Sequence, residues 1–181
     1  MYENEISKLP NLVTVVTTDG FVKFFDSKEE VFETTGLSIS SDKGNLINLN
    51  ADDTGMLGKL TLWDDKHFSN QKDVRTFWAS ATTIVSRAQL KDKPDEFNDK
   101  TSAISIEYLG DDEKLCAVLV AFENDQHTGR SLICIATKDN KHSDPDLDNV
   151  PCCKGTWSDR ITSFTFSIEN VGKYTESPHT N

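Results

Sequence analysis

The chain lacks the features of a membrane protein, a signal-bearing protein or a common enzyme. None of its 181 residues fall in an apolar run approaching the roughly 18 residues of a membrane helix. Residues 1–6 contain no basic segment followed by an apolar run, so no signal peptide is visible, and we expect a soluble protein, in the cytoplasm rather than secreted. Glycine-rich phosphate loops and serine-centred nucleophile motifs are also missing. We therefore expect no enzymatic activity.

Positive charge is scarce. Lysine and arginine together number 19 against 30 aspartates and glutamates, which gives a net charge of −11. Nucleic-acid binding usually needs a basic stripe, so this composition argues against such a partner. An excess of carboxylate favours solubility and attracts cations. The length fits one domain with an extension.

Cysteine is also sparse, and its spacing excludes one class of metal site. The four cysteines are Cys116, Cys134, Cys152 and Cys153. They show no paired Cys-x-x-Cys spacing, which argues against a four-thiolate zinc site. Cys116 and Cys134 flank strand-like runs on either side of one turn. Burial as free thiols is favoured, with a disulfide as the alternative.

Two segments of the chain repeat one another. The segment WDDKHFSN at residues 63–70 reappears as FENDQHTG at residues 122–129, which is 59 residues further on. The segment NDKTSA at residues 98–103 reappears as SDRITS at residues 158–163, 60 residues further on. The shared order and nearly constant offset indicate duplication of one structural unit.

The residues around these segments show the periodicity of β-strands. Apolar and polar residues alternate over residues 104–108 and again over residues 164–168. A period of two is typical of strands with one buried face. Further β-rich runs enter and leave the two hairpin segments, at residues 60–63, 74–78, 117–122 and 131–135. We predict about four strands in each copy, with the two copies stacked as a sandwich.

The paired motifs resemble the βγ-crystallin double Greek key. That family has an aromatic residue, a second aromatic five positions on and a glycine at seven, which here are Phe122, His127 and Gly129. The first copy has Trp63 and Phe68 in the ring positions. Its seventh position is an asparagine, the next-best residue for a left-handed backbone. The ring at the fifth position is expected to fold over the hairpin onto the first.

The family's turn follows the pattern (Asn/Asp)-(Asn/Asp)-x-x-(Ser/Thr)-Ser. Residues 98–103, the first turn, match it except for Ala103 at the last position. Residues 158–163, the second turn, match it except for Ser158 at the first position. The resemblance spans both copies, in register.

The resemblance implies an all-β fold in which two Greek-key motifs form a βγ-crystallin-like sandwich. The domain covers residues 58–170, with motif one at 58–109 and motif two at 114–170. Residues 1–57 are expected to be an N-terminal β-rich extension, added as a further layer on the sandwich. Residues 171–181 form a C-terminal tail.

The remaining structural predictions concern the N-terminal extension and two loops. Residues 11–18, 21–25 and 36–40 have the composition of strands separated by turns. Residues 91–99 and 137–155 are predicted as polar loops, and both exceed the usual connection length. Such loops are sites of variation or mobility.

The resemblance also implies two calcium sites shared between the motifs. Calcium takes six to eight oxygen ligands at about 2.3–2.6 Å. In this family the turn supplies a main-chain carbonyl at its third position and a hydroxyl at its fifth, and the hairpin of the other motif adds further oxygens. The implied ligand sets are the Lys100 carbonyl, the Ser102 hydroxyl and Glu123 for one site, and the Arg160 carbonyl, the Thr162 hydroxyl and Asp64 for the other.

The charged residues of the turns are expected to have two kinds of role, as ligands and as supporting residues. Lys100 and Arg160 are expected to bind calcium through the main chain while their charged ends reach solvent. Asp99 and Asp159 are expected to fix the turns by bonding local amides and to add negative charge. The alternative is that both turns are ordinary Asp–Ser turns without a metal.

The function implied is that of a calcium-binding structural or stress-associated protein. The alternative is a non-enzymatic recognition module, such as a proteinase inhibitor, toxin or adhesin, that binds a protein or glycan through its loops. An EF-hand at residues 144–155 is disfavoured, because Asn149 and Gly155 stand where that loop needs glycine and glutamate. His67 and His127 are assigned to hairpin packing, since no nucleophile or second ligand accompanies them.

Overall fold

The computed structural model describes residues 12–16, 22–35, 55–68, 73–92, 95–144, 146–152 and 155–170. Within these ranges the chain forms one helix, α1 (Lys28–Thr35), and twelve strands. The strands are β1 (Val13–Val16), β2 (Val22–Phe25), β3 (Met56–Trp63), β4 (Val74–Ser80), β5 (Val85–Arg87), β6 (Ala103–Tyr108), β7 (Leu115–Asn124), β8 (Thr128–Ala136), β9 (His142–Asp144), β10 (Pro151–Cys152), β11 (Gly155–Thr156) and β12 (Ser163–Asn170).

The strands form two larger sheets and one small one. The six-stranded sheet has the order β2-β1-β8-β7-β12-β5, and the four-stranded sheet has the order β4-β3-β6-β9. Strands β10 and β11 form a separate pair. Neighbouring strands are antiparallel except for β1 and β8, which are parallel. The two larger sheets enclose one apolar core, so the predicted all-β sandwich is confirmed.

The two repeats contribute strands in the same way. In each repeat the first and second strands pair as a hairpin and the last strand pairs with the first. The third strand leaves its own repeat: β5 pairs with β12, and β9 pairs with β6. Each sheet therefore contains a strand from the other repeat, an exchange that the sequence did not predict.

The core follows the predicted alternation. Along β6 the buried residues alternate with partly exposed ones from Ile104 to Tyr108. The start of β12 has the same pattern at Phe164 and Phe166, which are fully buried. The core between the sheets is built from both repeats, including Leu60, Leu62, Ile104, Ile106, Leu119, Phe164 and Phe166.

The described part of the N-terminal extension packs differently from the prediction. Instead of forming a further layer, β1 and β2 lengthen the six-stranded sheet beyond β8. Phe25 and Val31 then cover a second apolar cluster on the outer face of that sheet. Residues 36–40 and most of 11–18 other than β1 lie outside the described residues.

Helix α1 begins at a capping box that the β-strand reading overlooked. The Glu30 amide donates to Ser27 Oγ at 3.2 Å, and Glu30 Oε2 accepts from the Asp26 amide at 2.7 Å. A serine followed three residues later by a glutamate is a recognised start signal for a helix. Burial of Val31 then holds the short helix against the sheet.

The segments predicted as polar loops are packed against the core in their described parts. Phe97 and Leu147 have almost no exposed surface. In the first of these segments the buried Asp95 accepts a hydrogen bond from Arg87 Nε at 2.7 Å. Close by, the Arg75 guanidinium lies 5.2 Å from the centre of the Phe97 ring. Both segments therefore supply core residues as well as surface.

The cysteines are buried thiols, as favoured by the sequence. Cys116 and Cys134 belong to the two different apolar clusters, on opposite faces of the six-stranded sheet, so they do not form a disulfide. Burial raises the pKa of the Cys116 thiol to about 12 and also raises the pKa of Cys134. Cys152 is a buried free thiol too, and Cys153 lies outside the described residues.

Within the described ranges, the one helix is too short and too polar to cross a membrane.

Candidate metal centre

Each hairpin reverses through a short 3₁₀ turn that contains two left-handed residues. His67 and Phe68 both have φ of 56°, and Gln126 and His127 have φ of 58° and 57°. Corresponding residues are 59 positions apart, which matches the offset of the sequence repeat. Left-handed conformations at four residues other than glycine are uncommon, so the shared geometry supports duplication of one unit.

The predicted glycine is also left-handed. Gly129 has φ of 78°, as expected for the residue that closes the second hairpin. A Cβ atom at this position would lie 2.5 Å from Asn124 Nδ2, so space as well as backbone conformation favours glycine. Asn70, the corresponding residue of the first hairpin, lies outside the described residues.

The ring at the fifth position of each hairpin folds onto the first ring. The centroids of Trp63 and Phe68 are 4.5 Å apart, and those of Phe122 and His127 are 5.4 Å apart. His127 Nε2 also lies 3.1 Å from the Phe164 carbonyl oxygen. Burial lowers the pKa of His127, in keeping with a packed neutral ring. The predicted packing geometry of the two hairpins is confirmed.

Each turn is hydrogen-bonded to the hairpin of its own repeat. The Ser102 amide donates to the Trp63 carbonyl at 2.8 Å, and the Thr162 amide donates to the Phe122 carbonyl at 2.9 Å. Asp64 and Glu123 directly follow these carbonyls in the chain. The hairpin carboxylate of each repeat is thereby held near the turn of the same repeat.

The turn hydroxyls cross to the other repeat. Ser102 Oγ donates to Asp159 Oδ1 at 3.0 Å, and Thr162 Oγ1 donates to Asp99 Oδ1 at 3.0 Å. Both hydroxyls are almost fully buried, while both aspartates are exposed. Asp99 and Asp159 were predicted to bond local amides. Asp99 Oδ2 accepts from the Asn98 side-chain amide, and one oxygen of each aspartate also reaches the hydroxyl of the other turn.

Two main-chain hydrogen bonds reinforce this crossing. The Asp159 amide donates to the Thr101 carbonyl at 2.9 Å, and the Asp99 amide donates to the Ile161 carbonyl at 3.4 Å. The aspartates have φ of 51° and 55°, which turns their amides toward the opposite turn. The two turns are therefore related by an approximate twofold arrangement.

The carbonyls at the third position of each turn are possible metal ligands. Across the described part of the chain, no hydrogen-bond donor meets the carbonyl oxygen of Lys100 or of Arg160. In the same ranges, no three side chains drawn from His, Cys, Asp and Glu cluster as a metal site. A cation at these turns would therefore depend on carbonyl and hydroxyl oxygens together with few carboxylates.

The Glu123 carboxylate lies between two arginines. Glu123 Oε1 is 3.3 Å from both Arg130 Nη1 and Arg160 Nη1, and its Oε2 is 3.2 Å from Arg130 Nη1. Arg160 was predicted to extend into solvent, but its guanidinium binds this carboxylate and is only 35% exposed. Neither arginine side chain was assigned a role from the sequence.

The Asp64 carboxylate lies among other acidic groups. Partial burial raises its pKa, and the charges of Asp73, Asp65 and Asp159 raise it further, while Lys100 lowers it. Because Asp159 belongs to the second turn and Lys100 to the first, these charges bring both turns close to Asp64. No ion pair joins Lys100 to Asp64 within the described ranges.

The carboxylates have contacts that the prediction did not include. Asp64 follows the carbonyl that accepts from Ser102 of the first turn and is also influenced by Asp159 of the second, while Glu123 contacts the Arg160 side chain of the second turn. The predicted ligand sets stay a prediction. What crosses between repeats is the turn aspartate, which the sequence assigned only a supporting role.

Two candidate sites follow from these contacts. The first site contains Asp64, Ser102, Asp159 and the Lys100 carbonyl. The second site contains Glu123, Thr162, Asp99 and the Arg160 carbonyl. All donors are oxygens, the set that calcium prefers, and exposed carboxylates beside buried hydroxyls leave each site open to solvent. The residues present therefore fit a hard cation.

Family models, curated proteins and solved structures were compared with the chain. None matches.

Proposed function

We propose that this protein is a non-enzymatic calcium-binding protein of the βγ-crystallin type, with a structural or stress-associated role. The observation that carries the proposal is the pair of crossed contacts, Ser102 to Asp159 and Thr162 to Asp99. Each brings a hydroxyl and a carboxylate from different repeats to the same place, in a turn whose third carbonyl meets no donor among the described residues.

The arrangement of strands supports the βγ-crystallin resemblance. In each repeat the last strand lies beside the first, as it does after the long return connection of a Greek key. Both hairpins carry the stacked pair of rings, and both turns lie at equivalent positions. These features favour two related motifs over an unrelated sandwich.

The chemistry of the proposed sites is that of a bridge between repeats. A bound calcium ion would be coordinated by the hydroxyl and carboxylate oxygens that form the crossed hydrogen bonds. Both turns would then contact the same positive ion. Since the ligands come from both repeats, the ion would bind the folded chain and not the unfolded one. By mass action, calcium at a hundredfold excess over Kd stabilises the fold by about 2.7 kcal/mol.

We therefore expect calcium to raise the melting temperature of chelator-treated protein. The rise should be about 5–10 °C at a hundredfold excess over Kd, and magnesium should give much less, because it prefers small octahedral sites and loses water reluctantly. Scanning calorimetry in chelator, in millimolar magnesium and in millimolar calcium measures this.

A pair of serine variants provides the control for this experiment. Ser102→Ala should reduce the calcium-dependent rise, while Ser143→Ala, at an exposed position of β9, should keep it. Superimposable melting curves in chelator and in calcium would remove the metal-binding proposal and leave the fold as described.

A further inference from the structure

The four-stranded sheet has one face in the core and one outer face that is polar. Successive side chains of a strand point to opposite faces, so the neighbours of the core residues of β3, β4 and β6 point outward. Thr61 pairs with both Thr76 and Ser105, and Ser105 pairs with Ser143. Each of the four strands therefore contributes one hydroxyl to a single row across the sheet, which we call the hydroxyl row.

A second row, which we call the charged row, runs beside the hydroxyl row, two residues further along each strand. In it Lys59 pairs with Trp78 on one side and with Glu107 on the other. The Lys59 ammonium lies 5.6 Å from the centre of the Trp78 ring and 3.8 Å from the Glu107 carboxylate, which also binds Lys141. This row presents a half-buried indole at one end and alternating ammonium and carboxylate groups beyond it.

The equivalent face of the other repeat is apolar. Val118 and Val120 of β7 stand 59 residues after Lys59 and Thr61, the offset of the sequence repeat. Both valines belong to the second apolar cluster, which the N-terminal extension covers. The outer face of the four-stranded sheet lacks the apolar side chains that such a packed layer needs, and it therefore suits a polar partner.

The hydroxyl row is available to a ligand. Thr76 and Ser143 are exposed and Ser105 is half-buried, while Thr61 lies in the floor of the row and is only 6% exposed. Among the described residues, none of the four hydroxyls has a hydrogen-bond partner. Each hydroxyl can both donate and accept a hydrogen bond, which is also true of the hydroxyls of a sugar.

The spacing of the hydroxyl row suits an extended polysaccharide. Neighbouring strands lie about 4.7–4.9 Å apart, so the row presents a hydroxyl at that interval. An extended β-linked glycan advances by a similar length with each sugar residue. A glycan lying across the strands would meet one hydroxyl per sugar, and the apolar face of a sugar ring can stack on an indole such as that of Trp78.

The charges of the outer face favour an uncharged glycan. At the outward-facing positions of β3, β4, β6 and β9, Glu107 has the one carboxylate, and two lysines bind it. The chain as a whole has a net charge of −11, which repels a polyanion. The alternating ammonium and carboxylate groups of the charged row instead complement neutral sugar hydroxyls, which accept from the one and donate to the other.

From the two rows we infer that the outer face of the four-stranded sheet binds an uncharged, β-linked polysaccharide. The glycan lies across the strands along the hydroxyl row, with one sugar ring stacked on Trp78. The inference goes beyond the proposed calcium function and does not depend on it, because no residue of either row belongs to the hairpin turns or to the two Asp-containing turns.

Calorimetric titration of the full chain with soluble oligosaccharides tests the inference. The probes are cellohexaose, xylohexaose and N-acetylchitohexaose, which are uncharged and β-1,4-linked, and the titrations are done in chelator. At least one of them should bind. Maltohexaose, the α-linked counterpart of cellohexaose, follows a curved path that loses hydrogen bonds to the row, and it should bind about tenfold more weakly or not at all.

Variants with matched controls locate the binding surface. Trp78→Ala should weaken binding by about tenfold or more, and Thr76→Val, at an exposed position, by about two- to tenfold. Phe24→Ala, at a ring that is 40% exposed on the other sheet, should leave the affinity unchanged. The same is expected of Thr165→Val, at the position of β12 that corresponds to Ser105. Circular dichroism shows whether each variant keeps its fold.

Three outcomes would overturn the inference. The first is that none of the three β-linked probes binds. The second is that folded Trp78→Ala and Thr76→Val bind as tightly as the wild-type chain. The third is that an oligogalacturonate, as an acidic probe, binds more tightly than every uncharged one. None of these outcomes bears on the calcium proposal, since the titrations contain chelator.

Discussion

Trp157→Ala is expected to destabilise the protein by about 3–5 kcal/mol, a large share of the 5–15 kcal/mol of a typical domain. The indole is fully buried in the core between the sheets, beside the second turn. Truncation would remove the apolar contacts of the ring and leave a cavity that the surrounding strands cannot fill. Urea denaturation followed by circular dichroism measures the loss.

Three matched variants make this prediction specific. Phe97→Ala, at the equivalent position of the first repeat, should cost a similar amount, because Phe97 is only 1% exposed. Trp157→Phe should cost less, since the indole nitrogen has no acceptor within the described residues. Leu109→Ala, at a side chain that is 47% exposed, should change stability by less than about 0.5 kcal/mol. Equal effects at Trp157 and Leu109 would contradict the packing described here.

Acidification from pH 7.5 to pH 4 is expected to lower the free energy of unfolding by about 3 kcal/mol through the protonation of His142 alone. This ring is buried in β9, its Nε2 has no partner within the described residues, and burial lowers its pKa from 6.5 to about 4. Above pH 6.5 the ring is neutral in both states and contributes nothing to the pH dependence. Between pH 6.5 and 4 the unfolded chain binds the proton first, so the fold loses stability as the pH falls.

The pH prediction is tested by comparing two histidine variants. The free energy of unfolding is measured at pH 7.5 and at pH 4.5 for wild type, His142→Gln and His67→Gln. His142→Gln should lose most of the acid-dependent decrease, while His67→Gln, at an exposed position, should retain it. The same decrease in all three proteins would assign it to carboxylates instead.

The sequence predicted those parts of the fold that have a local signal. The long strands were recognised because apolar and polar residues alternate over much of their length, as at residues 104–108 and 164–168. The hairpin geometry was predicted because a ring pair and a glycine lie at fixed spacing. The capping box at Ser27 and Glu30 was an available signal for helix α1 that the β-rich interpretation passed over.

The exchanged strands could not be predicted in this way. Strands β5 and β9 contain three residues each, which is too short to display a period. Their place in the opposite sheet is decided by pairing with residues far along the chain, such as Phe164 with Arg87 and Ile106 with His142. Contacts of that kind have no signature in neighbouring residues.

The candidate sites, like the fold, could be predicted from the sequence only in part. The turns were located from their residue types, and the ligand roles of their carbonyls and hydroxyls remain predictions. The partner of each carboxylate depends on how the two turns face each other, which a repeat pattern does not specify. Asp99 and Asp159 gained the crossing role because their left-handed backbone directs each of them toward the other turn.

The central claim is that the first candidate calcium site is built from both repeats, and a double-mutant cycle on calcium affinity tests it most directly. Ser102→Ala and Asp159→Asn alter residues 57 positions apart whose side chains are 3.0 Å apart. Asp99→Asn is the matched control in the second site. Affinities of the single and double variants are measured by calorimetric titration.

The account predicts that Ser102→Ala and Asp159→Asn are coupled, so that together they lose less than the sum of their separate losses by about 0.5–3 kcal/mol. Ser102→Ala combined with Asp99→Asn should be additive within about 0.5 kcal/mol. Additive losses for Ser102→Ala with Asp159→Asn, or coupling to Asp99→Asn in their place, would contradict a calcium site shared in this way between the repeats.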